Sequence, residues 1–460
     1  MATFFLIKKS SLNSKKLFVE YYLPEYQALF EKMYQGPYPV KSLGEISKRI
    51  FDGPFGSNRK VDMYQDSGIP YIRVKDVLPE GIVEQGLTYI SPEKHKDLYR
   101  SRVTPGNVLM TIAGRLGTAV VFPEHLVEGN ITGHIAGLEL PNTVNPYYIA
   151  IAINSSVGQF QVERWGHRTT RPELNIQEIR QIMIPLPPRP IQDQIALVMQ
   201  DAYTKQEEKL ATSKEMLERI ESYVLAKLGI RLSQLENNPR VLKPVSSIAG
   251  GRFDFEATVA LRNLDFNSVS STALRKLGQL ITERVTPAAE MPNEDVNYIS
   301  LGHIASMTGT LTEFSPVKGL TVLSASTKFK KGDILFGRMR PYLNKVWVAE
   351  FDGVCTGEAV VFRPNLKKVN TQFLHSLLLS QVTLHQVVPL QSGTSLPRVS
   401  PSDILNVQLP IPEKLDLQLG IAQEVAYRRK QALQLMEDAS TIVSDAKAYV
   451  ERIILGEEMP

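Results

Sequence analysis

The sequence contains a single cysteine, Cys355. One thiol excludes an internal disulfide framework and any zinc site built from several cysteines. The longest apolar stretches, such as residues 147–153, span about seven residues, whereas a membrane-spanning helix needs roughly 20. The apolar patch at residues 4–7 is followed by its lysines and has no small-residue cleavage site after it. We therefore expect no secretory signal and a cytoplasmic location.

Familiar catalytic motifs are also missing from the sequence. We find no Walker-type phosphate loop, no GxGxxG after a predicted strand, no HExxH and no GxSxG. The seven histidines show no metal-ligand spacing. Residues 145–148, Asn-Pro-Tyr-Tyr, are similar to the NPPY loop of adenine-N6 methyltransferases, but the second proline and a preceding FxGxG-type cofactor loop are lacking. We interpret Asn145-Pro146 as a helix start. A degenerate adenine methyltransferase stays an alternative.

Length and charge suggest a globular protein of several domains. The 460 residues are too many for one ordinary core and predict two to four domains. The net charge is +4, with the basic excess in residues 41–190 and 235–415 and an acidic excess in 191–234 and 416–460. The two basic blocks suit contact with a polyanion. Ordinary surface charge gives the same balance.

The sequence repeats itself at an offset of about 225 residues. One offset holds across about 180 residues, which predicts a duplicated architecture. The matched pairs include Gly106–Leu109 with Gly332–Leu335, Gly114-Arg115 with Gly337-Arg338, Pro185–Pro187 with Pro410–Pro412, and Gln192 with Gln418.

Each copy ends in a long segment with apolar or small residues three and four positions apart. This spacing predicts a helix with a near-heptad seam, and about 37 residues give a length of roughly 55 Å. Such a stripe is too long to be buried against its own domain, so we expect the two helices to pair antiparallel, with one domain at each end. The predicted seam residues are Ile195, Met199, Leu210, Leu217, Ile220, Val224, Ile421, Val425, Leu435, Ile442, Val450 and Ile453.

The blocks between these segments alternate short β-rich runs with turn signals such as Asp52-Gly53-Pro54, and each carries a helical stretch, at 146–160 and 371–387. The predicted fold class is α+β, with two pseudo-repeated globular α+β domains joined by two long antiparallel coiled-coil helices. The predicted boundaries are 1–190 for an N-terminal segment with the first domain, 191–234 for the first helix, 235–415 for the second domain and 416–460 for the second helix.

Several motifs in fixed order resemble the specificity (S) subunits of type I restriction–modification systems. They are residues 52–57 with 68–73, residues 332–345 with 351–353, and the segments 174–188 and 397–412 that lead into the long helices. The resemblance covers most of the chain, from about Leu43 to Leu455. The second copy departs from it mildly at residues 415–418, where the family often has Glu-Gln.

This resemblance implies two target-recognition domains, each reading one half of a split site in double-stranded DNA, with the long helices as a spacer. It also implies docking of two methyltransferase (M) subunits and of restriction (R) subunits. The chain itself would then have no catalytic activity and bind no cofactor, because S-adenosylmethionine belongs to the M subunits and ATP and Mg²⁺ belong to the R subunits. A stand-alone or defence-system DNA-binding adaptor and a purely structural scaffold stay alternatives.

Sequence readout needs side chains that reach base edges, above all Arg to guanine and Asn or Gln to adenine, while phosphate contacts position the protein. We expect the divergent stretches 85–104 and 300–327 to help set the target. For each candidate the ordinary alternative is a solvated charge or a salt bridge. The candidate DNA-binding residues are Ser57, Asn58, Arg59, Lys60, Arg73, Lys75, Arg115, Arg164, Arg168, Arg171, Arg338, Arg340, Asn344, Lys345 and Arg398.

Overall fold

The chain forms two compact units. The computed structural model describes residues 24–54, 64–166, 172–232, 264–265, 271–312 and 314–459. Unit 1 consists of Met1–Lys209 with Glu437–Pro460, and unit 2 of Leu210–Met436. The first long helix, Arg189–Lys227, and the second long helix, Leu415–Ile454, each begin in one unit and end in the other.

Unit 1 combines short helices with short strands, as the alternating pattern predicts. Its described short helices are Pro24–Gln35, Leu43–Ile46, Pro92–Asp97, Pro146–Asn154, Ser156–Gly166 and Ile176–Ile179. Its described strands, β1 to β12 in chain order, are Val40–Ser42, Arg49–Asp52, Ile69–Ile72, Val77–Leu78, Gly81–Ile82, Thr88–Ile90, Arg102–Val103, Val108–Thr111, Ala119–Val121, Gly129–Ile131, Ile135–Glu139 and Met183–Pro185.

Unit 2 is built in the same way. Its described short helices are Pro287–Glu290, Thr371–Leu378, Gln381–Val387 and Pro401–Asn406. Its described strands, β13 to β26 in chain order, are Arg231–Leu232, Leu264–Asp265, Ser271–Ala273, Gly278–Ile281, Arg284–Val285, Asp295–Val296, Tyr298–Ile299, Val317–Lys318, Ser326–Phe329, Ile334–Gly337, Val346–Val348, Gly353–Cys355, Ala359–Pro364 and Gln408–Pro410.

One antiparallel sheet, the main sheet, recurs in both units. Its order is β2-β11-β8-β9 in unit 1 and β16-β25-β22-β23 in unit 2. Successive side chains alternate between its faces: Val108 and Met110 join the cluster that includes the long helices, and Leu109 joins the cluster on the other face. Residues 334–336 alternate in the same phase. Because both faces are covered, these strands are apolar at consecutive positions.

A second sheet is repeated only in part. Unit 1 has the order β6-β3-β10-β7 and unit 2 the order β17-β21-β24-β19. The three strands β3-β10-β7 correspond to β19-β24-β21, with the same parallel pairing of the first two and antiparallel pairing of the last two. The fourth strand differs, β6 in one unit and β17 in the other. The duplication is therefore confirmed, and it diverges at this sheet's edge.

Two buried glutamines occupy corresponding places in the two units. The Oε1 atom of Gln192 accepts from the backbone N–H of Asn145 at 2.9 Å, and its Nε2 donates to a proline carbonyl at 2.8 Å. Gln418 makes the same two bonds, with Asn370 at 2.8 Å and with a proline carbonyl at 2.7 Å. Each asparagine caps the helix that follows it. The paired motif fixes the start of each long helix against its own domain.

Both long helices end with the same hydrogen-bond pattern. Gly229 has φ 67° and Gly456 has φ 75°. The N–H of Ile230 donates to the carbonyl of Leu225 at 2.9 Å, and the N–H of Glu457 donates to that of Arg452 at 2.8 Å. These six-to-one bonds with a left-handed glycine form Schellman motifs, which satisfy carbonyls that the last helical turn leaves unpaired.

The two long helices contact each other within each unit. In unit 1, Lys209 Nζ lies 3.1 Å from Asp438 Oδ2. In unit 2, Ser213 Oγ donates to the carbonyl of Ala432 at 2.8 Å, and the guanidinium of Arg428 lies 4.4 Å from the ring centroid of Tyr223. In unit 2, the residue numbers of these contacts rise along the first helix, from 213 to 223, and fall along the second, from 432 to 428. The pairing is therefore antiparallel, as predicted.

Most predicted seam residues are buried, but Leu210 at the centre of the seam is exposed. Leu210 is 40% exposed, whereas Ser213 is 1% exposed. Leu217, Leu435 and Ile442 are only partly buried. Small buried residues occupy the middle of the second helix instead, because they let two backbones approach closely enough for a side chain to reach a carbonyl. The predicted seam residues that are buried are Ile195, Met199, Ile220, Val224, Ile421, Val425, Val450 and Ile453.

Candidate nucleic-acid interface

Three of the predicted arginines in unit 2 converge where strand β22 ends. The N–H of Arg338 donates to the carbonyl of Glu358 at 2.9 Å, and the carbonyl of Arg338 accepts from Val399 at 3.0 Å. The N–H of Arg340 donates to the carbonyl of Pro397 at 2.7 Å. An isolated bridge also pairs Met339 with Arg398. The backbone therefore holds residues 338–340 against 397–399, and this set, with Glu358, is called the arginine loop below.

Arg398 is fixed in place by a carboxylate. Its Nε lies 3.1 Å from both oxygens of Glu358, and its Nη2 lies 3.0 Å from Oε1. The hydrogen bonds to Glu358, with that carboxylate's charge, raise the pKa of Arg398 above its usual value. Its Nη1 also donates to the carbonyl of Leu396 at 3.1 Å, so a carboxylate and a backbone carbonyl together fix the direction of the guanidinium.

Arg340 differs from its neighbours because its side chain is exposed and its backbone is left-handed, with φ 49° and ψ 62°. The Nε atom of Arg338 is buried and has no hydrogen-bond partner among the described residues. Tyr342, which was not predicted as a site residue, is exposed on the same loop. Arg340 and Tyr342 are therefore exposed on this loop, whereas Arg338 is only partly exposed.

Asn344 and Lys345 point into the protein instead. Asn344 is 1% exposed, and its Nδ2 donates to the carbonyl of Leu379 at 2.7 Å. Lys345 is partly buried, and its Nζ donates to the carbonyl of Leu301 at 2.6 Å. A side chain enclosed in this way has no path to a base edge. Both residues therefore hold the loop in shape, and we remove them from the candidate DNA contacts.

Unit 1 has a corresponding crossing, which corrects one match of the sequence repeat. The N–H of Ile112 donates to the carbonyl of His134 and its carbonyl accepts from Leu174, each at 2.9 Å. These are the bonds that Arg338 makes in unit 2, so Ile112 is its counterpart. Gly114, with φ 77°, then corresponds to Arg340 and not to Gly337. The Gly-Arg match was wrong because both pairs are short and lie beside a loop of different length.

The other described candidates of unit 1 are scattered. Arg73 lies 3.1 Å from Asp76 and donates to the carbonyl of Gly86 at 3.0 Å. The guanidinium of Arg164 lies 5.2 Å from the ring centroid of Phe30. Both therefore serve the fold, whereas Lys75 and Arg115 are exposed. The predicted residues Ser57, Asn58, Arg59, Lys60, Arg168 and Arg171 lie outside the described residues.

Sequence reasoning missed Glu358, which fixes Arg398. The one clue is the alignment of the two units, in which Glu358 takes the position that His134 has in unit 1. The residue of unit 1 in the position of Arg398 is Glu173. Its neighbour Leu174 donates to Ile112 as Val399 donates to Arg338. The acid therefore lies on the strand loop in unit 2 and on the crossing segment in unit 1. No local pattern marks such a non-local pair.

The Asn145 motif is a helix start. The Oδ1 atom of Asn145 accepts from the N–H of Tyr147 at 2.8 Å, and its Nδ2 lies 2.6 Å from Asp193 Oδ1. Tyr148 is fully buried, its hydroxyl donates to the carbonyl of Pro185, and burial raises its pKa. A base could not stack on an enclosed ring. This geometry argues against the methyltransferase alternative.

Two kinds of feature are absent from the described part of the chain. No three or more His, Cys, Asp or Glu side chains there are grouped so as to hold a metal ion. None of its helices combines the length and the apolar character needed to cross a bilayer.

Comparison with known proteins supports one of the remaining readings of the motifs. Residues 37–219 match the family model of the type I restriction modification DNA specificity domain. The resemblance to type I specificity subunits is confirmed. The chain is also 28% identical over 150 residues to the type I restriction enzyme EcoDI specificity subunit of Escherichia coli, which is 32% of this chain and 33% of that protein. This chain thus matches about a third of that relative's length.

A solved structure extends the likeness in fold to most of the chain. A chain from a structure concerned with complex assembly and conformational transition of the type I R-M system is 14% identical, with a TM-score of 0.52, and the match covers 91% of this chain and 96% of that one. The type I S subunit from M. genitalium is 13% identical, with a TM-score of 0.47 over 92% and 96% of the two chains. The first of these likenesses shows that the fold is shared.

Proposed function

We propose that this chain is the DNA sequence-specificity subunit of a type I restriction–modification enzyme. In this proposal its two target-recognition domains, residues 1–190 and 235–415, bind the two halves of a bipartite DNA site, and the chain docks methyltransferase subunits. The match of residues 37–219 to the specificity domain carries the proposal. The main sheet, repeated strand for strand in unit 2, supports the same role for the second domain.

The arginine loop supports a direct reading role in the second domain. Arg340 is exposed, and Arg398 is oriented by Glu358, so both suit contact with guanine edges or phosphates. In the first domain, Lys75 and Arg115 are the described candidates with exposed side chains. We assign DNA contact to these four residues. The remaining predicted contacts outside the described residues stay predictions.

In the proposed complex the chemistry belongs to other subunits. Two methyltransferase subunits bind S-adenosylmethionine and modify the DNA, and restriction subunits use ATP and Mg²⁺ for cleavage. This chain contributes the choice of sequence and acts on genomic DNA in the cytoplasm. The absence of familiar catalytic motifs from its sequence is consistent with that division of roles.

Co-expression with a methyltransferase subunit tests the proposal. We expect a complex of two methyltransferase subunits with one copy of this chain, and methylated adenines in host DNA that share one split motif. A chain that purifies without any methyltransferase subunit and binds DNA alone would instead favour a stand-alone adaptor. A chain that binds S-adenosylmethionine tightly by itself would overturn the assignment of a non-catalytic subunit.

A truncated chain tests the duplication in functional terms. A protein ending after residue 234 lacks Val450 and Ile453, which belong to the same apolar cluster as Ile195 and Met199. We expect two such half-proteins to pair, since each offers the apolar face that the other lacks, and to direct methylation of a palindromic motif. Methylation only of the original asymmetric motif by the half-protein would contradict this expectation.

A further inference from the structure

A pocket of about 250 Å³ lies within unit 2 where four elements meet. The first long helix contributes Leu217 and Glu221, the helices around residue 380 contribute Ser380, the loop after β19 contributes Met307, and the second long helix contributes Arg429. A water molecule takes up roughly 30 Å³ of liquid, so the pocket has room for a small molecule or for the end of a side chain.

Arg429 is a cation that lacks an acidic partner among the described residues. Its Nη1 lies 3.2 Å from Nδ1 of His375, and no described carboxylate lies within 4 Å of its nitrogens. Burial lowers the pKa of Arg429 to about 10, and even there it carries its charge at neutral pH. Arg429 is partly buried, and a charge withdrawn from water without a partner of opposite sign is destabilising.

His375 orients this guanidinium without neutralising it. The Nε2 atom of His375 lies 3.1 Å from the carbonyl of Val346, which places the ring proton on Nε2 and leaves Nδ1 as the acceptor for Arg429. Burial, together with the charge of Arg429, lowers the pKa of His375 to about 3. The histidine is therefore neutral and uses one N–H of the fork, and the other N–H groups are available to a ligand.

The acidic residues beside the pocket are already engaged. Oε1 of Glu221 accepts from the N–H of Gln381 at 2.6 Å, and burial raises the pKa of Glu221. Glu218 is exposed and lies 4.0 Å from Lys214 on its own helix. Neither carboxylate comes within 4 Å of Arg429, so neither balances its charge.

The fold does not require a cation at this position. Arg429 follows Gln418 by eleven residues, and the residue eleven after Gln192 in unit 1 is Tyr203. Tyr203 packs against the apolar cluster there. A second unusual feature is Met307, a non-glycine residue with φ 65° that lines the pocket. Such left-handed residues are costly and concentrate at ligand sites.

We propose that the Arg429 pocket binds a carboxylate or phosphate-type oxyanion. The anion accepts hydrogen bonds from the guanidinium and supplies the charge that the described residues lack. Two sources have this chemistry, a free small anion and an acidic side chain of a docked subunit. Only the second source rests on the proposed function.

Thermal unfolding of the full chain in phosphate or acetate, against chloride at equal ionic strength, tests the free anion. We expect either anion to raise the Tm of the parent by roughly 2 °C or more and to leave the Tm of Arg429→Met unchanged. Arg428→Met is the matched control, because its guanidinium is already paired with Glu424 at 2.7 Å and its anion response should equal that of the parent.

The second arm measures binding of the methyltransferase subunit. If free anions have no effect, a partner carboxylate predicts that Arg429→Met weakens this binding at least tenfold while Arg428→Met does not. The proposal would be overturned if the anions raised the Tm of the parent, Arg429→Met and Arg428→Met equally. It would also be overturned if the anions did not change the Tm and Arg429→Met bound the methyltransferase subunit as tightly as the parent. Should Arg429→Met not fold, Arg429→Lys keeps the charge without the fork and should respond at least tenfold more weakly to the anion; an unchanged response would count against the pocket.

Discussion

Glu221 of the first long helix accepts a hydrogen bond from the backbone N–H of Gln381, where a helix of unit 2 begins. In unit 1, Glu451 of the second long helix accepts from Ser156 at the start of the corresponding helix, at 3.2 Å. Each unit therefore has a carboxylate from a long helix bound to the N-terminus of a domain helix. The helix dipole favours a negative charge at that end.

Glu221→Gln should change how stability depends on pH. Burial raises the folded-state pKa of Glu221 above its unfolded value, so its stabilising contribution is complete below the unfolded pKa and is lost as pH rises through the folded pKa. The amide cannot titrate, and its oxygen still accepts from Gln381. The variant should gain stability relative to the parent as pH rises from about 4 to 8.

Thermal unfolding across that pH range measures the effect, with the exposed Glu218→Gln as the control. The control should keep the pH profile of the parent. If the stability of Glu221→Gln varied with pH in parallel with that of the parent, burial would not raise the pKa of Glu221.

Gln192→Ala and Gln418→Ala should each destabilise their unit by about 1–3 kcal/mol. Each change leaves the backbone N–H of the capping asparagine and a proline carbonyl buried without a hydrogen-bond partner. A free energy of this size is the usual cost of a buried polar group without a partner. Calorimetric unfolding measures it. Gln431→Ala is the control, since its bond to the hydroxyl of Tyr427 lies at the surface. A loss as small as that of the control would show that water replaces the glutamine.

Arg340→Gly should separate recognition from folding. Gly114 occupies the corresponding left-handed position in unit 1, so glycine removes the Arg340 side chain without straining the backbone, and stability should stay equal or rise by about 1 kcal/mol. Methylation of one half-site should weaken by about 1–3 kcal/mol if the side chain contacts a base. Arg340→Lys, which keeps the charge, should restore a phosphate contact but not a base contact. Unchanged methylation by the glycine variant would remove Arg340 from the interface.

The centre of the helix pair predicts an unusual ranking of two substitutions. Leu210→Ala should change stability by less than about 0.5 kcal/mol, because the leucine is exposed. Ser213→Leu should cost about 1–3 kcal/mol, because it places a large side chain where Ser213 reaches the carbonyl of Ala432. Chemical denaturation of both variants measures the ranking. A larger loss of stability for Leu210→Ala than for Ser213→Leu would show that Leu210 packs in the seam and that the helices are not closely packed at Ser213.

The sequence was informative wherever a signal repeats. The duplication, the fold class and both ends of the helix seam follow from an offset and a spacing that recur many times along the chain. At the centre of the seam the spacing holds, because Ser213 lies seven residues before Ile220, but it does not show that the small residues Ser213 and Ala432 are buried while Leu210 is exposed. Averaged patterns describe regular packing and miss a local close approach.

The candidate site was harder to predict, because its geometry depends on pairs that are far apart in the chain. Arg398 and Glu358 are 40 residues apart, and nothing local distinguishes this arginine from Arg73, which binds Asp76. Asn344 resembled an adenine reader by residue type, yet its amide is bonded to the carbonyl of Leu379. Only the fold separates exposed side chains from enclosed ones.

The way unit 1 is assembled has a consequence for synthesis on the ribosome. Val443, Val450 and Ile453 belong to the same apolar cluster as Leu43 and Ile153, although 290 to 410 residues separate them in the chain. A growing polypeptide therefore cannot complete its first domain while the second is being translated. The early core stays partly open until residues 443–453 have been translated, and its apolar surface is an aggregation hazard during that time.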